Sequence, residues 1–328
     1  MKKVLYCISC RGILPILITL IFTNNIYCQH LILGSEKGSV EIGINLGPTF
    51  FLGDLGGHRG IGTTFIKDVN LPVTKFMKGL FLTVSPNEWI GFRLAAQLTY
   101  LEGSDNLITT KGVNETYRKD RNLDFKSNVS EAYAAIEIFP FSILNLGNDD
   151  YMSKIRPYVF AGVGIFHFNP MGSLTDANGN ISWHYLQPLH TEGQGFKEYP
   201  NRPNYKLTQL NIPLGMGVKY LLSNNVNVGL ELLYRKTFTD YIDDVSTNYI
   251  NHDLFNKYLS AADANIALQI NDKSSGTGIT RTNPGDQRGN VKNDDAYFSF
   301  VLKIGFKIAG GNDYDKEVTK RTKCPARF

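Results

Sequence analysis

The sequence predicts an all-β fold, an eight-stranded antiparallel transmembrane β-barrel with short connections at one end and long ones at the other. Three observations carry this. Apolar residues alternate with small, polar or charged ones in eight segments, the pattern of a strand with two unlike faces. The segments match the length of a tilted strand crossing a bilayer, roughly 9–11 residues. The connections alternate short and long, as in barrels with short periplasmic turns and longer extracellular loops.

The rhythm is clearest in the third segment, Ile90–Tyr100. Ile90, Phe92, Leu94, Ala96, Leu98 and Tyr100 point one way, and Gly91, Arg93, Ala95, Gln97 and Thr99 the other. The first segment, Val40–Gly47, is apolar at every even position. The second, Lys75–Ser85, turns Leu80, Leu82 and Val84 outward. In the fourth, Lys126–Phe139, Ala132, Ala134, Ile136 and Ile138 oppose Glu131, Tyr133, Ala135 and Glu137. The fifth, Arg156–Phe168, sets Val159, Ala161, Val163 and Ile165 against Gly162 and Gly164, although Tyr158, Phe160 and Phe166 make both its sides apolar. The sixth (Lys206–Tyr220), seventh (Val226–Thr237) and eighth (Tyr297–Ile308) repeat the pattern.

Pro86-Asn87-Glu88 and Ser223-Asn224-Asn225 read as tight turns. The connections after the first, third, fifth and seventh segments are long and rich in Gly, Asn and Asp. Aromatics gather at the predicted strand ends: Trp89, Phe139, Phe141 and Tyr220 at one end, Phe50, Phe51, Tyr100 and Tyr234 at the other. Two interfacial girdles are expected there.

Residues 1–28 read as an export signal, with basic Lys2, Lys3 and Arg11, an apolar core from Ile13 to Phe22 and a polar exit. Cleavage is expected after Cys28; Tyr27 is too large for a lipoprotein signal. The barrel is expected over 29–308 and a periplasmic tail over 309–328. Removal of the signal leaves 31 basic against 30 acidic residues, so the balance does not point to nucleic acid. It also leaves Cys324 as the single thiol, which excludes an internal disulfide framework. An exported chain of this pattern belongs in the cell outer membrane, with lipid as its first partner.

Eight strands enclose an interior just wide enough for side chains to fill. The charges expected inside are Glu41, Arg93, Glu137, Lys219, Glu231, Arg235, Lys303 and Lys307. Both signs are present, so pairing into a plug is expected, since an unpaired charge there would be costly. Outside the strands, Leu254, Phe255, Tyr258, Leu259, Ala262 and Ile266 have helical spacing within Asp253–Leu268.

Other motifs fail on chemistry. Asp176-Ala177-Asn178-Gly179-Asn180 starts like a calcium loop, but Gln187 stands where a bidentate acid is needed, so Asn178-Gly179 reads as a hairpin turn. Gly53-Asp54-Leu55-Gly56-Gly57 lacks the Gly-Lys-Ser/Thr ending of a phosphate loop. His167 with Asp240, Asp243 or Asp244 is the one pairing with hydrolytic potential, and its spacing does not select it. The chain reads as a non-enzyme that calls for no metal or cofactor.

Several segments resemble PorG-like barrels of Bacteroidetes: Arg156–Gly164 with Phe166–Pro170, Leu186–Leu189 with Thr191–Gly195, Tyr205–Gln209 and, most specifically, Tyr234–Ser246. The likeness covers roughly Val40 to Ile308. It implies a small barrel of the OmpA and OmpX type and a structural role in type IX protein secretion, beside a periplasmic ring of PorK- and PorN-like proteins. The alternative is a stand-alone surface barrel whose loops bind ligands or partners.

Overall fold

The computed structural model describes residues 38–55, 73–108, 112–144, 154–274 and 282–310. The proposed signal peptide and residues 311–328 of the tail lie outside these. Eight strands close the barrel: β1 (Ser39–Leu52), β2 (Lys75–Ser85), β3 (Ile90–Ser104), β4 (Asp124–Ile138), β5 (Ile155–His167), β8 (Thr208–Leu221), β9 (Val226–Thr237) and β10 (Ala296–Gly310). A hairpin, β6 (Pro170–Thr175) and β7 (Ile181–Tyr185), extends β4 beyond the barrel mouth. Each barrel strand pairs antiparallel with its neighbours, and β1 meets β10 while β3 meets β4. Closure leaves no free sheet edge among the barrel strands, which is what hydrocarbon demands of a spanning sheet.

The alternation becomes an inside and an outside. Leu80, Leu94, Ile136, Val163, Met216 and Leu230 are exposed on the outer wall. Arg93, Glu137, Glu231, Arg235 and Lys303 are buried within. The ambiguous fifth segment is settled by packing, because Tyr158 and Phe160 fill the lumen. Room for them is made on β8: a Cβ at Gly215 would stand 2.8 Å from the Phe160 ring, and one at Gly217 would stand 2.7 Å from the Tyr158 ring.

The short turns are held by side chains. Asn87 Oδ1 accepts from the amides of Trp89 and Ile90, both at 3.2 Å, and Ser223 Oγ accepts from the Val226 amide at 3.2 Å. At the other end several strands outrun their sequence-based limits: β1 reaches Leu52, β3 reaches Ser104 and β4 begins at Asp124. They do so because that end is not bare loop. A helix α1 (Val113–Arg121) joins β3 to β4, and α2 (Pro140–Leu144) follows β4.

The helical spacing after Asp253 resolves into two helices, α3 (Asp253–Tyr258) and α4 (Ala261–Asn271), rather than one. Ser260 explains the break: its hydroxyl accepts from the Asp263 amide and caps α4, a role serine fills better than a helix interior.

Two girdle assignments are corrected. Phe51 points inward and stacks edge-on against Phe125, 4.7 Å between centroids, within the apolar core above the lumen. Phe139 is buried beside Tyr158 and under the Arg156 guanidinium. Both stand where the alternation hands over to a neighbouring element, so parity alone misassigns them.

Candidate functional site

The lumen is built in layers of ion pairs. Toward the short turns, Lys219 Nζ reaches Glu41 Oε2 at 2.9 Å. At the middle, Arg93 Nε donates to Glu137 Oε1 at 2.5 Å, and its Nη2 lies 2.7 Å from Glu231 Oε2. Lys303 Nζ stands 3.5 Å from both these carboxylates, and the Tyr158 hydroxyl donates to Glu231 at 2.6 Å. The cations also rest on rings: the Arg93 guanidinium is 4.6 Å from the Phe160 centroid and Lys303 Nζ 4.3 Å from that of Phe81. Toward the long connections, Arg235 pairs with Glu131 at 3.2 Å and donates to Ser299 Oγ at 2.6 Å.

Four acids and four bases thus face each other across strands that are distant in sequence. Lys307 is placed inward and half-buried near the short turns but joins none of these pairs. Glu131 belongs to the network, although the expected set of charges omits it. It accepts from Gln97 and, at 2.6 Å, from Asn211 Nδ2. Its alternation with outward Ala132 and Ala134 is the signal that could have placed it. A charge in so narrow a space needs partners on every side, and these residues supply them.

Above the lumen the long connections fold together as a cap. Phe125, Phe166, Phe168, Leu186, Phe196, Ile242, Ile250, Phe255 and Ile270 form one continuous buried cluster with Tyr297 at the barrel mouth. Polar ties bind the connections to each other. Asp105 holds Arg121 at two points, 2.7 and 2.9 Å, and Arg121 donates on to the carbonyl of Asp54 at 2.9 Å. Arg288 pairs with Glu192 at 2.9 Å, and Glu192 accepts from the amides of Ser246 and Thr247, each at 2.9 Å. Asp244, in the left-handed region at φ 62, accepts from Tyr205 at 2.8 Å and Thr191 at 2.5 Å.

Inside this cap sits an acid cluster. Asp243 accepts from the amides of Leu55 and Val245 at 3.0 Å, Asp295 from that of Ile242 at 2.8 Å, and Asp54 from that of Asn290 at 2.5 Å. Burial, followed by the neighbouring Asp54, pushes the Asp240 carboxyl up to about 9. The same two causes raise Asp243 well above the ordinary range. Burial raises Asp295 likewise, with Asp243 and Asp240 as its nearest like charges. Asp244 rises to about 6, by burial opposed by Arg288. At neutral pH the cluster therefore carries protons. Among the described residues no group of three or more His, Cys, Asp or Glu side chains has metal-holding geometry.

His167 stands apart from these acids. It is exposed on the outer face of β5 and bonded to Thr208 Oγ1 at 2.9 Å, while Asp240, Asp243 and Asp244 are buried in the cap. Asp176 caps its own turn, accepting from the amides of Asn178 (2.9 Å) and Asn180 (2.8 Å), with Gly179 at φ +84.

A closed eight-stranded sheet with an apolar outside and a salt-bridged inside defines the class. The chain is a small outer-membrane β-barrel of the OmpA and OmpX architecture. Similar solved structures include Neisserial surface protein A (11% identity, TM-score 0.34, 83% of this chain and 99% of that one). Ail, the attachment invasion locus protein of Yersinia pestis, is another (8% identity, TM-score 0.31, 83% and 97%). A third is a major outer membrane protein from Thermus thermophilus (12% identity, TM-score 0.37, 82% and 100%). No family model matches the chain, and no curated protein matches it.

Proposed function

We propose that this is a sealed, non-enzymatic barrel that works through its two exposed ends, as an anchoring component of type IX protein secretion. The observation that carries the first half is the lumen itself. Its charges are paired, and the buried cap core stands across the mouth, which leaves no built passage for a solute. A barrel that neither conducts nor holds a substrate acts by what it fixes in the membrane. The second half is supported by the likeness of Tyr234–Ser246 to PorG-like barrels. In this reading the long connections lie outside the cell. The turns at 86–88 and 223–225, with the tail, meet a periplasmic ring of PorK- and PorN-like proteins.

Deletion of the gene tests it: secretion of type IX cargo is expected to fail, while other outer-membrane proteins assemble normally. Crosslinking through Cys324 in intact cells is expected to recover the ring proteins, and removal of residues 311–328 to reduce that recovery with the barrel still inserted. Intact cargo secretion in the deletion strain overturns the role. The second reading, a stand-alone surface barrel, then takes its place, favoured by a cap whose polar ties hold a fixed outer surface.

A further inference from the structure

The outer wall is not uniform. On the strand halves next to the short turns, the outward positions are all apolar, as with Ile42, Leu82, Phe92, Ile136, Val218 and Phe306. Outward lysines occur only on the halves next to the long connections: Lys78, Lys126 and Lys236. The outward acids there are already taken, Glu102 by Lys75 at 2.6 Å and Asp124 by Lys273. Lys78 and Lys126 face the bilayer side with no acid of this chain to neutralise them.

Register places polar groups in a line. Lys78 pairs with Leu98, Leu98 with Ser130, Ser130 with His167 and His167 with Thr208. This row crosses five neighbouring strands and edges a hollow of about 700 Å³ in the outer wall, floored by apolar side chains such as Leu46, Leu80 and Ile165. Further toward the long connections, the β6–β7 hairpin turns Tyr185, Trp183 and Ile181 outward. Lys126 Nζ lies 3.8 Å from the Trp183 ring centroid.

We propose that this wall binds a phosphorylated glycolipid: acyl chains in the hollow, a phosphate on the Lys78–Ser130–His167–Thr208 row, and the sugar against Trp183 and Tyr185 above it. A lysine facing hydrocarbon is costly near the midplane and nearly free at the interface, where an anion can meet it. The hollow is lined from six strands, β1 to β5 and β8, wide enough for several acyl chains. Ring faces beside a cation suit the C–H faces and phosphates of a sugar headgroup better than the slender headgroup of a glycerophospholipid. The assignment rests on the proposed orientation, with the long connections outside, for its biological source.

The test uses the full chain, purified in detergent and shown folded by the mobility of unheated samples in gels. Binding of bis-phosphorylated lipid A, dephosphorylated lipid A and phosphatidylglycerol is measured by native mass spectrometry. The bis-phosphorylated form is expected to bind at least ten-fold tighter than either other lipid. Lys78→Ala combined with His167→Ala is expected to remove that advantage, and Lys236→Ala, off the row, to leave it within two-fold. Equal binding of phosphatidylglycerol, or an unchanged double variant, overturns the proposal. The assay involves neither cells nor cargo, so its failure is separable from failure of the secretion role or of the orientation.

Discussion

Arg93 holds Glu137 and Glu231 together across the barrel, and the three sit where water does not reach. Replacing it with Ala strands two carboxylates beside Lys303 alone. The expected cost is about 3–5 kcal/mol, the range for removing one partner of a buried ion pair. It would be read as a lower urea midpoint for the barrel in lipid bilayers. Leu230, on the lipid side of the same strand, tests the other face. Leu230→Arg is expected to cost about 2–4 kcal/mol if the position lies near the midplane, and to lower the yield of folded barrel in vesicles. Leu230→Ala should be tolerated much better, because it leaves the wall apolar. Similar losses for Leu230→Arg and Leu230→Ala would contradict the facing.

At the scale of elements, the cap behaves as a unit apart from the barrel wall. Asp54, Asp240, Asp243 and Asp295 come from three separate places in the chain and meet with Glu192 nearby, opposed by Arg121 and Arg118. Their carboxyls are raised in the folded cap, so folding favours the protonated acids. The stability they contribute is full below the ordinary carboxyl range near 4. It falls as pH rises through about 6 for Asp244 and about 9 for Asp240. The urea midpoint of the cap, followed by near-ultraviolet circular dichroism, is therefore expected to drop between pH 5 and pH 9. Asp240→Asn is expected to flatten that slope and to raise the midpoint at pH 9. A midpoint that climbs over this range would show that the acids are ionised partners rather than protonated ones.

For the whole molecule, the paired lumen and the cap predict a barrel without conductance. Reconstitution in a planar bilayer is expected to give no stepwise currents, and regular steps would show a passage that the packing does not contain. Orientation is a separate matter. Protease added to intact cells is expected to nick the exposed hairpin tip at 176–180 and to spare 86–88 and 223–225. Cleavage confined to the short turns would invert the molecule.

The barrel was legible in the chain because lipid imposes one rule on every strand. Alternate residues must be apolar, and that rule is local enough to read at Ile90–Tyr100 or Val226–Thr237 without any partner strand. The inward charges follow from the same parity; what they pair with does not. Arg93 and Glu231 are far apart in sequence and meet only because β3 and β9 face each other across a closed ring. The cap was hidden for a stronger reason. Leu55, Phe125, Phe196, Ile242 and Phe255 lie in polar surroundings with no shared period, so each connection alone looks like a loop. Their core exists only when the barrel brings its strand ends into one circle, and the buried Asp240, Asp243 and Asp244 of the most distinctive segment acquire their protons and partners there. Periodicity along the strands was enough to specify a membrane barrel; the contents of the lumen and the roof over it depend on closure, which is a property of all the strands at once.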